Sequence, residues 1–356
     1  METFPDYESY IQWFRKNCKG KPFTHTKFYQ SLRYKSGLIE AESRKLVFFI
    51  HGVSTKNASY ADALIRNIKK ELTKKCQTKA VDFYSSFWGN LFNNKKHETV
   101  SFIDKDFIRA CEDHPEYKGW YSDIYRYREW RNKFVNDFLG DFLIYQNPER
   151  GKLIRKTVFE QLNQFLYDHS GCDEIHFVAH SLGSLILWDL LFSDVIGNDD
   201  PALLLREKLS QVRLASITTL GSPLLFLKQF FDLDFSGVDT FLKKLNTENN
   251  TNSCKLRWVN IIHSSDLVAY PLKAAIENKV GNNLLYYDQY VWQCANGGEQ
   301  TLRNLGQFDL AMVFAAEDAH SSYFYDNIDG TITGRIIAYN LIGDTQKLAE
   351  RCVTPK

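Results

Sequence analysis

The sequence has almost no net charge: 44 Lys and Arg against 43 Asp and Glu leave +1. That balance excludes the basic footprint of a nucleic-acid binder and a strongly basic membrane face. No stretch approaches ~18 consecutive apolar residues, so no transmembrane helix is expected. Cysteines are few and scattered, at Cys18, Cys76, Cys111, Cys172, Cys254, Cys294 and Cys352. An odd number without a C-x-x-C pair argues for free thiols rather than a disulfide framework. The opening "METFPDYESYIQWFRKNCKGK" lacks the basic-then-apolar order of a signal peptide. A cytoplasmic location is therefore expected, with signal-independent export left open. There is no G-x-x-x-x-G-K-[ST], no G-x-G-x-x-G, no H-E-x-x-H and no zinc-ligand spacing. No cofactor and no metal are expected. Gly- or Pro-rich linkers and internal repeats are missing too.

What is present fills 356 residues, 44% of them hydrophobic, enough for a large core. Residues 1–44 are polar and aromatic without clear periodicity, and are set apart as an N-terminal extension with a short helix near 7–17. The remainder, 45–356, reads as one domain. "KLVFFIHG" (45–52) is a buried strand that ends in a turn. In 57–76, Ala61, Leu64, Ile65, Ile68 and Leu72 recur at helical spacing. "KAVDFYSSFW" (79–88) is a second strand. Strand, helix and strand in succession are the signature of a parallel sheet. Further on, a helix is expected at 148–168, strands at 175–179, 212–224 and 255–266, a loop at 247–254, and one C-terminal helix at 331–351.

Residues 89–141 interrupt this pattern as a helical insertion. From 81 to 150, 17 of 70 residues are aromatic, against 15% overall. Such a segment either buries its rings on the core or forms a lid over an apolar substrate. The two readings are separable at Trp120, Tyr121 and Trp130.

The most informative stretch is "DEIHFVAHSLGSLILWDLL" (173–191), where an apolar strand runs into Ala-His-Ser-Leu-Gly and then into an apolar helix. A serine hydroxyl is a weak nucleophile unless a base is held within hydrogen-bond reach. A sharp strand-to-helix turn lifts it clear of the sheet, but crowds the backbone. The residues two before and two after must then be small, and here they are Ala179 and Gly183 around Ser181. The start of the following helix adds free N–H groups and the positive end of its dipole. The N–H of Leu182 is one expected oxyanion donor. In "FFIHG" (48–52), the His51-Gly52 turn supports a second donor, the N–H of Val53.

In this architecture the acid and then the base follow the nucleophile along the chain. Of nine histidines only His263 and His320 come after Ser181. Asp266, in "HSSDLVAYPL", stands just beyond a strand, and His320, in "EDAHSSYF", lies beyond Asp266. Glu317 and Asp318 precede His320 too closely to face it. The expected catalytic set is Ser181, Asp266 and His320: nucleophile, orienting acid and general base.

The succession "FFIHG … VAHSLGS … TLGSPL … WVNIIHSSDLVAYPL … AHSSYF" resembles the α/β-hydrolase superfamily, and within it intracellular lipase- and esterase-like members. The resemblance spans roughly 45–340 and departs from the usual elbow in having Ala179 where Gly is common. It implies a mostly parallel central sheet with helices on both faces, and hydrolysis of a carboxylic ester with an apolar acyl chain. The substrate would be a small molecule or lipid, with no nucleic acid and only transient contact with membranes. An acyltransferase or thioesterase would use the same residues. A catalytically silent hydrolase fold serving as a binding module is the remaining alternative.

Overall fold

The computed structural model describes residues 44–75, 81–116, 126, 128, 140–169, 171–194, 196–249, 255–277 and 279–350. The helix expected at 7–17 lies outside them, as do Trp120, Tyr121 and Trp130 of the aromatic insertion.

The described elements begin with β1 (Lys45–Ile50), a 3₁₀ turn (Ala58–Ala61), α1 (Asp62–Lys74) and β2 (Val81–Ser85). Next come α2 (Asn93–Asp113), α3 (Gly140–Gln146), α4 (Pro148–Asp168), β3 (Glu174–His180) and α5 (Leu182–Leu191). They are followed by α6 (Pro201–Leu209), β4 (Arg213–Leu220), α7 (Leu224–Phe231), α8 (Ser236–Asn249) and β5 (Leu256–His263). The chain then passes through α9 (Lys273–Ile276), β6 (Leu284–Val291), α10 (Gly297–Asn304), α11 (Phe308–Ser322), α12 (Ile328–Ile342) and α13 (Thr345–Ala349).

Among the described residues the strands form one six-stranded sheet, ordered β2-β1-β3-β4-β5-β6. Every neighbouring pair is parallel. The expected fold class, a parallel central sheet with helices on both faces, is the one observed. Side-chain alternation in β1 shows how the sequence builds it. Leu46, Phe48 and Ile50 point into a core shared with α4, α5, α6, α7 and α8. Val47 and Phe49 point into the opposite core, shared with α1, α12 and α13. A strand buried on both sides has no polar phase, so it reads as a continuous apolar run.

The strand order has a consequence for function. From β1 the chain crosses outward to β2, and from β3 it proceeds the other way to β4, β5 and β6. Connections leaving adjacent strands in opposite directions open a crevice at their carboxyl ends. The crevice between β1 and β3 is bordered by Gly52 and Ser181.

The strands expected at 212–224 and 255–266 end at Leu220 and His263, and two further readings differ from the structure. The expected helix at 331–351 is two helices, broken at Gly343, which takes φ 75° and closes α12. The expected loop at 247–254 is helical to Asn249, in α8, and residues 250–254 lie outside the described set. Among the described residues Cys111, Cys172 and Cys294 are free thiols.

Candidate functional site

Ser181 stands between β3 and α5 with φ 53° and ψ −126°. A non-glycine residue is strained in that region, and such strain persists only where surrounding structure holds it. Here the Ser181 N–H donates to Leu220 O at 3.0 Å, and the Ser184 N–H donates to Ser181 O at 2.9 Å. The small neighbours are explained by distance. A Cβ on Gly183 would lie 2.4 Å from Ile50 O and 2.7 Å from His51 O. A Cβ on Gly52 would lie 2.5 Å from Ser181 Cβ. Ala179 is fully buried.

The Ser181 hydroxyl is 2.8 Å from His320 Nε2. The other ring nitrogen, Nδ1, is 3.0 Å from both carboxylate oxygens of Asp266. With a proton on Nδ1, the imidazole donates to Asp266 and accepts from Ser181. The structure thus brings all three residues expected from the sequence into one hydrogen-bonded chain. It joins residues 139 and 54 positions apart. His320 occupies the last turn of α11 and remains partly exposed, while Asp266 is almost wholly enclosed.

Asp266 keeps its charge despite enclosure. Burial pushes its carboxyl up, but the adjacent His320 ring, a hydrogen bond from His320 and others from the Val268 N–H and the Tyr323 hydroxyl outweigh that. The result lies below the ordinary aspartate value. Tyr323 is fully buried, and its hydroxyl donates to Asp266 Oδ2 at 2.9 Å while accepting the His263 N–H at 2.9 Å. Burial, and then the charge of Asp266, push the phenol well above 10, so it stays a donor. Gly221, at φ 55°, completes the enclosure: a Cβ there would meet Asp266 Oδ2 at 2.9 Å and His320 Cε1 at 3.2 Å.

His263, the other histidine downstream of Ser181, has a different place. Its Nδ1 accepts the Ser265 N–H at 3.1 Å, and its Nε2 faces Asp329 at 3.8 Å. Its carbonyl accepts the Asp266 N–H at 3.0 Å. It shapes the turn that carries the acid.

The loop opposite Ser181 is equally fixed. His51 Nδ1 donates to Gly52 O at 2.7 Å, and His51 Nε2 accepts the Trp88 N–H at 3.1 Å. The two rings stack at 4.7 Å. Ser54, with φ 61°, donates its N–H to the buried Asp141 carboxylate at 2.9 Å. Val53 lies between these anchors, and Leu182 opens α5 directly after Ser181. Among the described residues neither the Val53 nor the Leu182 N–H has an acceptor.

Sequence reasoning missed His180, Tyr323, Trp88 and Asp141. His180 Nε2 donates to His320 O at 2.8 Å across 140 positions, and its ring lies 4.8 Å from that of His320. Burial, and then the nearby His320, push His180 down to about 3, so it is a neutral donor. Its position next to Ser181 was the one signal in the sequence. The others lie too far along the chain from their partners to be paired by spacing. A cavity of about 490 Å³ bordered by Tyr145, Lys152, Arg155, Asp189 and Asp200 includes none of the Ser–His–Asp residues.

No family model and no curated protein matches the sequence. Among solved structures, the chain is similar to an uncharacterized protein from Bacillus cereus, with 10% identity and a TM-score of 0.34 over 80% of this chain. It spans 60% of that protein's length. It is also similar to Est1E from Butyrivibrio proteoclasticus, at 12% identity and TM-score 0.31, covering 77% of this chain and 90% of the other. A hydrolase from Oleispira antarctica is similar at 10% identity and TM-score 0.29, covering 83% of this chain and 90% of the other.

Proposed function

We propose that the protein is a serine hydrolase that cleaves a carboxylic ester with an apolar acyl chain. The observation that carries this reading is the hydrogen-bonded chain from Ser181 Oγ through His320 to Asp266. Neutral His320 accepts the Ser181 proton at Nε2 as Oγ attacks the ester carbonyl. Asp266 holds the Nδ1–H tautomer and stabilises the imidazolium that forms. The developing oxyanion takes the N–H groups of Leu182 and Val53, two preset donors that need no reorganisation. His320 then returns its proton to the departing alcohol, leaving an acyl group on Ser181. Water, deprotonated by His320, attacks that acyl group. Ser181 leaves with the proton and the carboxylic acid is released.

Two measurements test the reading. A fluorophosphonate probe should label the wild-type protein at Ser181 and leave folded Ser181→Ala unlabelled. Nitrophenyl esters should be hydrolysed by the wild type, with a loss of ~10⁴-fold in kcat for Ser181→Ala. A folded wild type that neither labels nor hydrolyses any ester in a chain-length series refutes the proposal. An added alcohol acceptor distinguishes hydrolysis from acyl transfer in the same assay.

A further inference from the structure

Helix α11 is built inside out. The apolar side chains it buries are Ala311, Ala315 and Ala319, four residues apart. Its large apolar side chains face outward: Phe308 is 65% exposed, Val313 70% and Phe314 58%, with Leu310 and Met312 about half exposed. Burial of apolar area drives folding, so a surface helix normally places its larger side chains inward. Here the arrangement is reversed. At ~100° per residue, Leu310, Met312, Val313 and Phe314 spread over roughly 200° of the helix circumference.

The width of that arc indicates what covers it. A seam between two helices needs a narrower stripe, and a broad apolar face of this kind suits a helix lying in a lipid surface. Charge points the same way. Helix α11 carries Asp309, Glu317, Asp318 and His320 but no Lys or Arg, so nothing on it draws an anionic surface. Among the described residues no helix is long and apolar enough to cross a membrane. Position supplies the third argument. The last turn of α11 holds His320, and the loop after Asp266 adds exposed Leu267 and Tyr270, whose ring meets that of exposed Phe226 at 4.7 Å.

We propose that the outward face of α11 docks on an uncharged or zwitterionic lipid surface and draws its ester from there. The choice of lipid as occupant rests on the ester-hydrolase reading above. The docking itself is measured without catalysis.

The experiment is co-sedimentation of full-length protein with phosphatidylcholine vesicles, at low and high salt. It uses the wild type, Ser181→Ala and the double variant Phe308→Glu/Val313→Glu. Wild type and Ser181→Ala should both sediment with vesicles, with little salt dependence. The double variant should bind less by about tenfold or more, because two charges enter the apolar contact. It should keep its kcat/KM on a soluble short-chain ester and lose it on an ester carried in vesicles. Absence of wild-type binding overturns the proposal, and so does binding that the double variant retains. A wild-type dimer in light scattering that the variant dissolves, without vesicle binding, also overturns it in favour of a second copy on this face. If Ser181→Ala and wild type bind vesicles but no ester is cleaved, docking stands and the hydrolase reading fails.

Discussion

Gly52→Ala is a one-carbon test of the site geometry. The added methyl would sit 2.5 Å from Ser181 Cβ, 2.9 Å from His180 O and 3.1 Å from Ser181 Oγ. Ordinary contact begins near 3.4 Å, so the nearest pair must separate by 0.9 Å. Ser181 has little room to yield. β1 and β3 are bonded in register from Lys45–Glu174 to Ile50–Ala179, and Gly183 already abuts Ile50 O. The displacement therefore falls on the 2.8 Å contact between Ser181 Oγ and His320 Nε2. A misplacement of ~1 Å at reacting atoms costs about 10²-fold in rate, or ~2.7 kcal/mol of barrier. Overpacking also lowers stability by ~1–3 kcal/mol, which leaves the protein folded. The assay compares kcat/KM on a short nitrophenyl ester, and the rate of fluorophosphonate labelling, with melting temperature followed alongside. Gly297→Ala serves as the control, since a Cβ there meets nothing within 4 Å. Gly52→Ala with both rates within about threefold of wild type would refute the placement of Gly52 against the nucleophile.

Three further outcomes follow from the same geometry. Tyr323→Phe removes one of the hydrogen bonds that hold the Asp266 carboxyl low, so Asp266 takes up a proton at higher pH. The acid limb of the kcat/KM profile should move upward, whereas an equal loss at every pH with no shift would mean that Tyr323 is only structural. His320→Ala should abolish turnover, with a loss of ~10⁴-fold. His263→Ala should retain labelling at Ser181 but lower both melting temperature and kcat, because it loosens the turn that carries Asp266. The reverse ranking would displace His320 as base. His180 is held neutral when folded, down to about 3, and binds a proton near ~6.5 when unfolded. Below that pH the unfolded state binds more protons, so His180 makes stability fall as pH drops from ~6.5 toward 3, by up to ~1.4 kcal/mol per unit. His180→Gln should flatten that slope in urea titrations at pH 4 to 7, and an unchanged slope would refute the assignment.

The sequence made the elbow legible because its constraints are local. An apolar run, small residues at Ala179 and Gly183, and an apolar helix after Ser181 are enforced within a few positions of one another. Asp266 and His320 were singled out by chain order: Asp266 follows a readable strand, and His320 is the one histidine in the sequence beyond it. β6 was not legible. It lies at the sheet edge, is half-buried along most of its length, and its "LLYYDQYV" mixes Tyr, Asp and Gln into the apolar pattern. α11 was obscured differently: it buries Ala and exposes Phe, Met and Val, so its pattern inverts the usual cue.

By itself, then, the sequence determined the strand–helix alternation, the parallel sheet it requires, the tight turn at Ser181 and the chain order of Asp266 and His320 after it. These depend on side-chain period and on residue size within one turn of chain. The tertiary structure alone decided that β1 and β3 are neighbours, which sets Gly52 against Ser181. It also decided that His180 reaches the carbonyl of His320, that Tyr323 braces Asp266, and that Asp141 holds the Ser54 turn. Those pairs are separated by 57 to 140 positions. Contacts at that range are fixed by which sheet edge each crossover takes and by how the helices pack, and no spacing along the chain encodes either.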